Sequence, residues 1–345
     1  MCLKSIGDTS TLSTMWRWPG VDTRSCCGSG HSINNRSTSM PNSGIGGQSV
    51  ALNYGNNGGN AMAIRLFERT NRRGDFSDIG RDENDLGHID VGRNPSSMVM
   101  GDAGDAVLLF KRPEWRGGVM FRRGRNTINN LGSPRAGGRN TFRNGIASAR
   151  VTPFHVKLNI TAVSQSDGTL PGGYPNLGAL SDDFDLVLSM VNDFYEREQA
   201  LLRVEAEPMQ VRVNNNKFNI TMAESWPIPA SWKNRREIDC ILVNSGSGFT
   251  GLGRPPHWGK VIIIALRNSP TGRRRTLGAI GRTVAHEIGH FLGSGHVDAP
   301  VTNVLRTPTP ATADITTATA TVDQIQEWHT KLSRNMSRRR NRRGD

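Results

Sequence analysis

The spacing of apolar residues changes character along the chain. From about residue 60 to 153 they come in short runs broken by Gly, Asn and Pro, among them Ala61-Met62-Ala63-Ile64-Arg65-Leu66-Phe67 and Ala106-Val107-Leu108-Leu109-Phe110. Short strands with closely spaced turns predict a β-sandwich. From residue 154 the pattern is different. Residues 155–163 alternate as a strand. Phe184, Val187, Leu188, Val191, Phe194 and Tyr195 then recur at helical spacing, behind an N-cap at Ser181 with Asp182 and Asp183 in the first turn. This predicts a helix ending near residue 202. Residues 209–213 alternate again, and 238–243 and 261–266 are continuous apolar runs of the kind found in interior strands. A second helix carries Leu277, Ile280, Val284, Ile288 and Phe291 on one side. A last helix is predicted over 322–332, with Thr321 and Gln324 forming a capping box at its start. The reading is multidomain: an all-β sandwich over 59–153, then an α/β domain over 154–334. Residues 1–58, rich in Ser, Gly, Asn and Thr, have no period and are predicted to be disordered, as is a basic tail over 335–345.

The β region contains a repeat. Phe67 precedes Gly74, and Phe110 precedes Gly117, by the same interval, and each copy ends in a serine followed by apolar alternation: Ser96-Ser97-Met98-Val99-Met100 and Ala147-Ser148-Ala149-Arg150-Val151. This resembles the paired Greek-key motifs of the βγ-crystallin family, whose aromatic-x6-Gly element forms a folded hairpin. Many members of that family bind Ca²⁺ through paired Asn or Asp residues ahead of the serine. The matching positions here hold Gly92 with Arg93, and Arg143 with Asn144. A cation at such a position repels Ca²⁺, which needs several oxygen ligands. A structural turn serine is therefore the favoured reading, with Ca²⁺ a disfavoured cofactor.

The most specific chemical signal is His286-Glu287-Ile288-Gly289-His290-Phe291-Leu292-Gly293-Ser294-Gly295-His296. His286 and His290 are one turn apart on a helix, so both imidazoles can reach one ion. Glu287 is adjacent to the first ligand but off its face, beside the ion's open position. Gly293 can adopt the positive φ that ends a helix and turns the chain, bringing His296 back to the ion. Three histidines with a free fourth position make a catalytic zinc set. Glu287 is the expected general base.

This stretch resembles the metzincin metallopeptidases, with reprolysin-like members nearest, over roughly residues 154–334. The resemblance implies a twisted mixed sheet, an active-site helix bearing the motif, a cleft below the sheet's edge strand, and a protein or peptide substrate lying along that edge. Residues 246–253 and 261–266 would flank the cleft. It also suggests an extracellular setting. The family places a methionine turn beneath the zinc, and here Leu305 stands in that place, within Thr302-Asn303-Val304-Leu305-Arg306-Thr307. Leucine is similar in volume, so the floor can survive. The expected activity is zinc-dependent endopeptidase. The alternative is an inactive zinc-binding protein whose βγ-crystallin-like part is a binding or regulatory module.

Composition adds limits. Net charge is +13, but the arginines are scattered, as in Arg273-Arg274-Arg275, and no nucleic-acid-binding signature accompanies them, so solvated charge is the expectation. The four cysteines contain no CxxC pair, which argues against a cysteine zinc site. No run is long enough to span a bilayer, and the first residues lack the apolar core of a secretory signal. His155, His257 and His329 are expected to be structural or exposed. Asp298 is expected to be an ordinary loop aspartate, with orientation of an imidazole as its other reading. The sequons at Asn159 and Asn219 are weak signals.

Overall fold

The computed structural model describes residues 64–341, apart from 102–104, 133–141, 143–144, 223–227, 234–236, 254–259, 270 and 308–312. The segment expected to be disordered at 1–58 lies outside the described residues, as do His257 and the Arg143-Asn144 pair.

The first half folds as two antiparallel sheets. One has the order β2-β1-β3-β6, from β1 (Ile64–Arg69), β2 (Arg73–Ile79), β3 (Ser97–Met100) and β6 (Thr127–Ile128). The other has the order β5-β4-β7, from β4 (Ala106–Arg112), β5 (Arg116–Arg123) and β7 (Ser148–Arg150). The two repeats reach into each other's sheets. β6 belongs to the second repeat but pairs with β3 of the first, and Glu83 of the first repeat bridges Ala149 in β7. The hairpins β1–β2 and β4–β5 fold over at equivalent points. Gly74 and Gly117 sit at φ +75° and +82°, and the pairs Asn71-Arg72 and Glu114-Trp115 also take positive φ. Such conformations cost a non-glycine residue energy, so something must hold them. The repeat serines do. Ser97 Oγ donates to Arg69 O at 2.6 Å and accepts from Arg72 N at 2.9 Å. Ser148 Oγ donates to Arg112 O at 2.8 Å and accepts from Trp115 N at 3.1 Å. This two-repeat, strand-exchanged sandwich is βγ-crystallin-like. Near its first serine, Arg93 pairs with Asp85 through two hydrogen bonds.

The second half is α/β. Its mixed sheet runs β10-β8-β12-β14-β13, from β8 (Phe154–Ser164), β10 (Gln210–Val213), β12 (Ile238–Ser247), β13 (Gly251–Gly253) and β14 (Val261–Arg267). β9 (Leu202–Ala206) also pairs with β8, and β11 (Asn219–Thr221) with β12. All neighbours are parallel except β13, which is antiparallel to β14. Alternate residues of the central strands serve two cores. Cys240, Leu242, Ile262 and Ile264 face one, and Ile241, Val243, Ile263 and Ala265 face the other. Helices α1 (Leu177–Arg197) and α3 (Leu277–Phe291) cover the first face. The second face packs on Phe218, from the short α2 (Asn215–Phe218), with Ile228 and Trp232. The last helix, α4 (Val322–Asn341), begins at the predicted capping box: Thr321 N donates to Gln324 Oε1 and Gln324 N to Thr321 Oγ1, at 2.8 and 3.2 Å.

Four expectations need correction. Helix α1 starts earlier than Ser181, because Asn176 is the cap, its side chain accepting from Ala179 N at 2.9 Å. It also stops at Arg197, short of residue 202, as Gln199 and Leu201 enter positive φ. Helix α4 continues to Asn341, so the expected disordered tail is helical from 335 to 341; arginine is a good helix former and does not stop the helix. Finally, the boundary at 153/154 separates no cores. The described residues form one compact unit. Leu108, Phe110, Val119 and Phe121 of the sandwich share a core with Phe154, Val156, Ile325 and Trp328. Among the described residues no helix is long and apolar enough to cross a membrane.

Candidate metal centre

Helix α3 starts at Thr276, whose Oγ1 accepts from Ala279 N. Ile280, Val284 and Ile288 are buried in the core, which leaves His286 and His290 half-buried on the cleft side. The helix ends at Phe291, and Gly293 sits at φ +109°, where a side chain would be strained. That bend returns the chain so that His296 meets the two helical histidines. His286 Nε2 lies 2.9 Å from His290 Nε2 and 3.3 Å from His296 Nε2.

Backbone carbonyls fix two of the rings. His286 Nδ1 lies 2.8 Å from Val304 O, and His290 Nδ1 lies 2.7 Å from Ser294 O. A carbonyl can only accept, so each Nδ1 carries the proton and each Nε2 is left as a lone pair. Burial lowers the pKa of both rings, that of His286 to about 4 with His290 beside it contributing. Neutral lone pairs facing one another at 2.9 Å repel unless a cation lies between them. Tetrahedral zinc with Zn–N bonds of 2.0–2.1 Å would place its ligand atoms about 3.3 Å apart. The three histidines therefore fit a metal ion, and they are the one such group among the described residues.

Glu287 lines the same cleft as the three histidines and is buried at 4% exposure. Burial raises its pKa to about 8, against a hydrogen bond from Gly253 N–H that favours the anion. The edge strand β13 reaches the carboxylate only because it is glycine: a Cβ on Gly253 would lie 2.6 Å from Glu287 Oε2, and one on Gly251 2.6 Å from Oε1. Together these groups line an open cleft of about 630 Å³, with Phe249, Leu252, Asn268 and Met222 on its walls. All four sequence-predicted site residues meet in this cleft, and the loop 246–253 flanks it, whereas residues 261–266, also expected to flank it, are buried and do not line it.

Leu305 stands where the sequence placed it, but the rest of the support was invisible in the sequence. Leu305 is fully buried against α3 at Gly289, where an added Cβ would lie 2.8 Å from its Cδ2. Its neighbour Val304 supplies the carbonyl that orients His286. Arg282 Nη2 donates to Val301 O and Asn303 O, which fixes the same turn from above. Arg275, expected to be solvated, is buried: it donates to the carbonyls of Thr250, Ala265 and Ala279 and to Thr283 Oγ1. Desolvation lowers its pKa to about 10. It ties the β13–β14 hairpin to α3, a task for which a lone arginine in a basic run gives no signal. Asp298 is exposed, and the Val304 and Ser294 carbonyls hold the rings instead. His155 pairs with Glu205 at an exposed position, whereas His329 is wholly buried. The first sequon is closed to modification, because Asn159 is buried with Nδ2 donating to Asp239.

No family model matches the sequence, and no curated protein matches it either. Solved structures do. One, described as "Evolution of the eye lens beta-gamma-crystallin domain fold", is 18% identical with a TM-score of 0.23, over 27% of this chain and 89% of that one. A βγ-crystallin from Ciona intestinalis is 18% identical with a TM-score of 0.22, over 26% of this chain and 98% of its own. A βγ-crystallin from an archaeon gives the same values.

Proposed function

We propose that the protein is a zinc-dependent endopeptidase of metzincin type, with His286, His290 and His296 as metal ligands and Glu287 as general base. The observation that carries this reading is the convergence of bare imidazole lone pairs in a cleft that also holds a buried carboxylate. Zinc, when bound, would lower the pKa of a water towards about 7 and polarise the scissile carbonyl. Glu287 is suited to take the proton from the attacking water and return it to the leaving amine, since burial lifts its affinity for protons towards neutral pH. Gly251 and Gly253 bring the edge strand against that carboxylate, so a peptide extended along β13 would present its backbone close to the base. Phe249, Leu252 and Met222 offer apolar contacts for side chains beside the scissile bond. Leu305 fills the floor beneath α3 without contributing a ligand.

The test pairs metal analysis with casein cleavage. The unaltered protein should hold one zinc and cleave. Glu287→Ala should keep the metal and lose at least ~10²-fold in rate. Equal cleavage by that variant would defeat the mechanism.

A further inference from the structure

Helix α4 touches both the sandwich and the metal centre, through opposite sides. On the sandwich side Gln326 pairs with the backbone of β5 as a strand would: its Oε1 accepts from Phe121 N at 2.6 Å, and its Nε2 donates to Val119 O at 2.8 Å. Ser333 Oγ lies 3.2 Å from the carbonyls of both Trp115 and Gly117. Trp115 and Gly117 belong to the folded hairpin that Ser148 holds. On the metal side Glu327 Oε2 accepts from Ser294 Oγ at 2.7 Å. Ser294 is the residue whose carbonyl orients His290, and it begins the loop that delivers His296. One turn back, Gln324 and Asn303 exchange two buried hydrogen bonds, at 3.0 and 3.1 Å, which secure the turn carrying Val304.

Each of these bonds is modest alone. Their placement is what matters: the ligand loop and the turn below the site are both anchored to a helix that is itself anchored to the sandwich. We infer that Glu327 is a positioning residue of the metal centre, and that through α4 the βγ-crystallin-like half braces the ligand geometry. The sandwich is then part of the metal site's support and not an appended module. This rests on the metal-site reading above.

The test uses the full chain and zinc affinity, measured by competition with a chromophoric chelator, together with the visible spectrum of the Co²⁺-loaded protein. Outer partners of metal ligands are commonly worth 10–100-fold in affinity, and Glu327 acts one bond further out, so Glu327→Ala should weaken zinc about five- to tenfold and shift the Co²⁺ bands. Ser294→Ala removes the same bond from the loop side and should match it. Glu327→Gln keeps an acceptor and should restore most of the affinity, which separates the bond from the charge. Gln326→Ala, on the opposite side, should weaken zinc in the same direction. Its combination with Glu327→Ala should fall short of the product of the two. Unchanged zinc affinity in both Glu327→Ala and Ser294→Ala would overturn the relay. An effect of Glu327→Ala with none from Gln326→Ala would overturn the brace. Failure of the unaltered protein to bind zinc at all would instead sink the metal-site reading.

Discussion

Single residues carry much of the site's precision, and burial decides what each can do. His329 is an instructive case away from the histidine cluster. It packs between Phe121 and Phe154 at centroid distances of 5.8 and 5.7 Å, and its Nε2 donates to Ala200 O at 2.7 Å. Its buried Nδ1 has no hydrogen-bond partner, so a second proton there would be a charge without solvent. Burial lowers its pKa to about 4, against about 6.5 in an unfolded chain. The unfolded state therefore binds the proton first as pH falls. Stability should be unaffected by this residue above about pH 6.5 and should drop on acidification towards pH 4, by on the order of 3 kcal/mol at most. Denaturant unfolding at pH 7 and pH 4.5 checks this: His329→Gln, which can still donate to Ala200 O, should show a shallower loss than the unaltered chain. The sequence left His329 as structural or exposed, and it is buried. The sequence could not show the aromatic sandwich, because Phe121 is far away in the chain.

At the scale of elements, the clearest sequence signals were those whose partners lie within one turn of helix or one hairpin. The pairing of His286 with His290, the bend at Gly293 and the capping box of Thr321 with Gln324 are all local, and all formed as read. Helix ends set by a competing cap were misjudged, as when Asn176 took the place of Ser181. The edge strand β13 shows a different limit. Its glycines look like loop punctuation, but they are there because Glu287 leaves no room for a side chain. On the proposed mechanism, Gly253→Val should push the strand off the carboxylate and cut peptide cleavage at least ~10-fold while leaving zinc binding unchanged. The Leu305 turn gives a paired expectation. Leu305→Met conserves volume and should cost less than about 1.5 kcal/mol. Leu305→Ala should cost about 2–5 kcal/mol and loosen the turn that holds His286, measurable by thermal unfolding and zinc titration.

At the scale of the whole molecule, the sandwich and the α/β half stand or fall together. β1 alternates, with Arg65 and Phe67 turned outward, because only one of its faces is covered. β4 is apolar at every position from Ala106 to Phe110, because Val107 and Leu109 face the sandwich interior while Leu108 and Phe110 face the core shared with Trp328. A strand buried on both faces reads as a continuous run. Residues 64–341 should accordingly unfold in one cooperative transition by both circular dichroism and tryptophan fluorescence. A chain beginning at residue 154 should be insoluble, since it would expose Phe154, Trp328 and their neighbours. Two separate transitions, or a soluble and folded fragment, would show that the halves are independent.

The sequence by itself determined what depends on near neighbours: the longer strands and helices of the α/β half but not its short strands at 202–206, 219–221 and 251–253, the twin folded hairpins with their serines, and a trio of histidines with a glutamate beside them. Spacing along the chain is enough for these, because the helical and extended periods convert it directly into direction. Tertiary structure alone decided that the two halves are one body, that Arg275 is a buried tie, and that α4 joins the sandwich to the ligand loop. The contacts of α4 unite residues 21 to 218 positions apart, and those of Arg275, though within 25 positions, cross between a hairpin and a helix; no local period encodes which neighbouring element a side chain will meet.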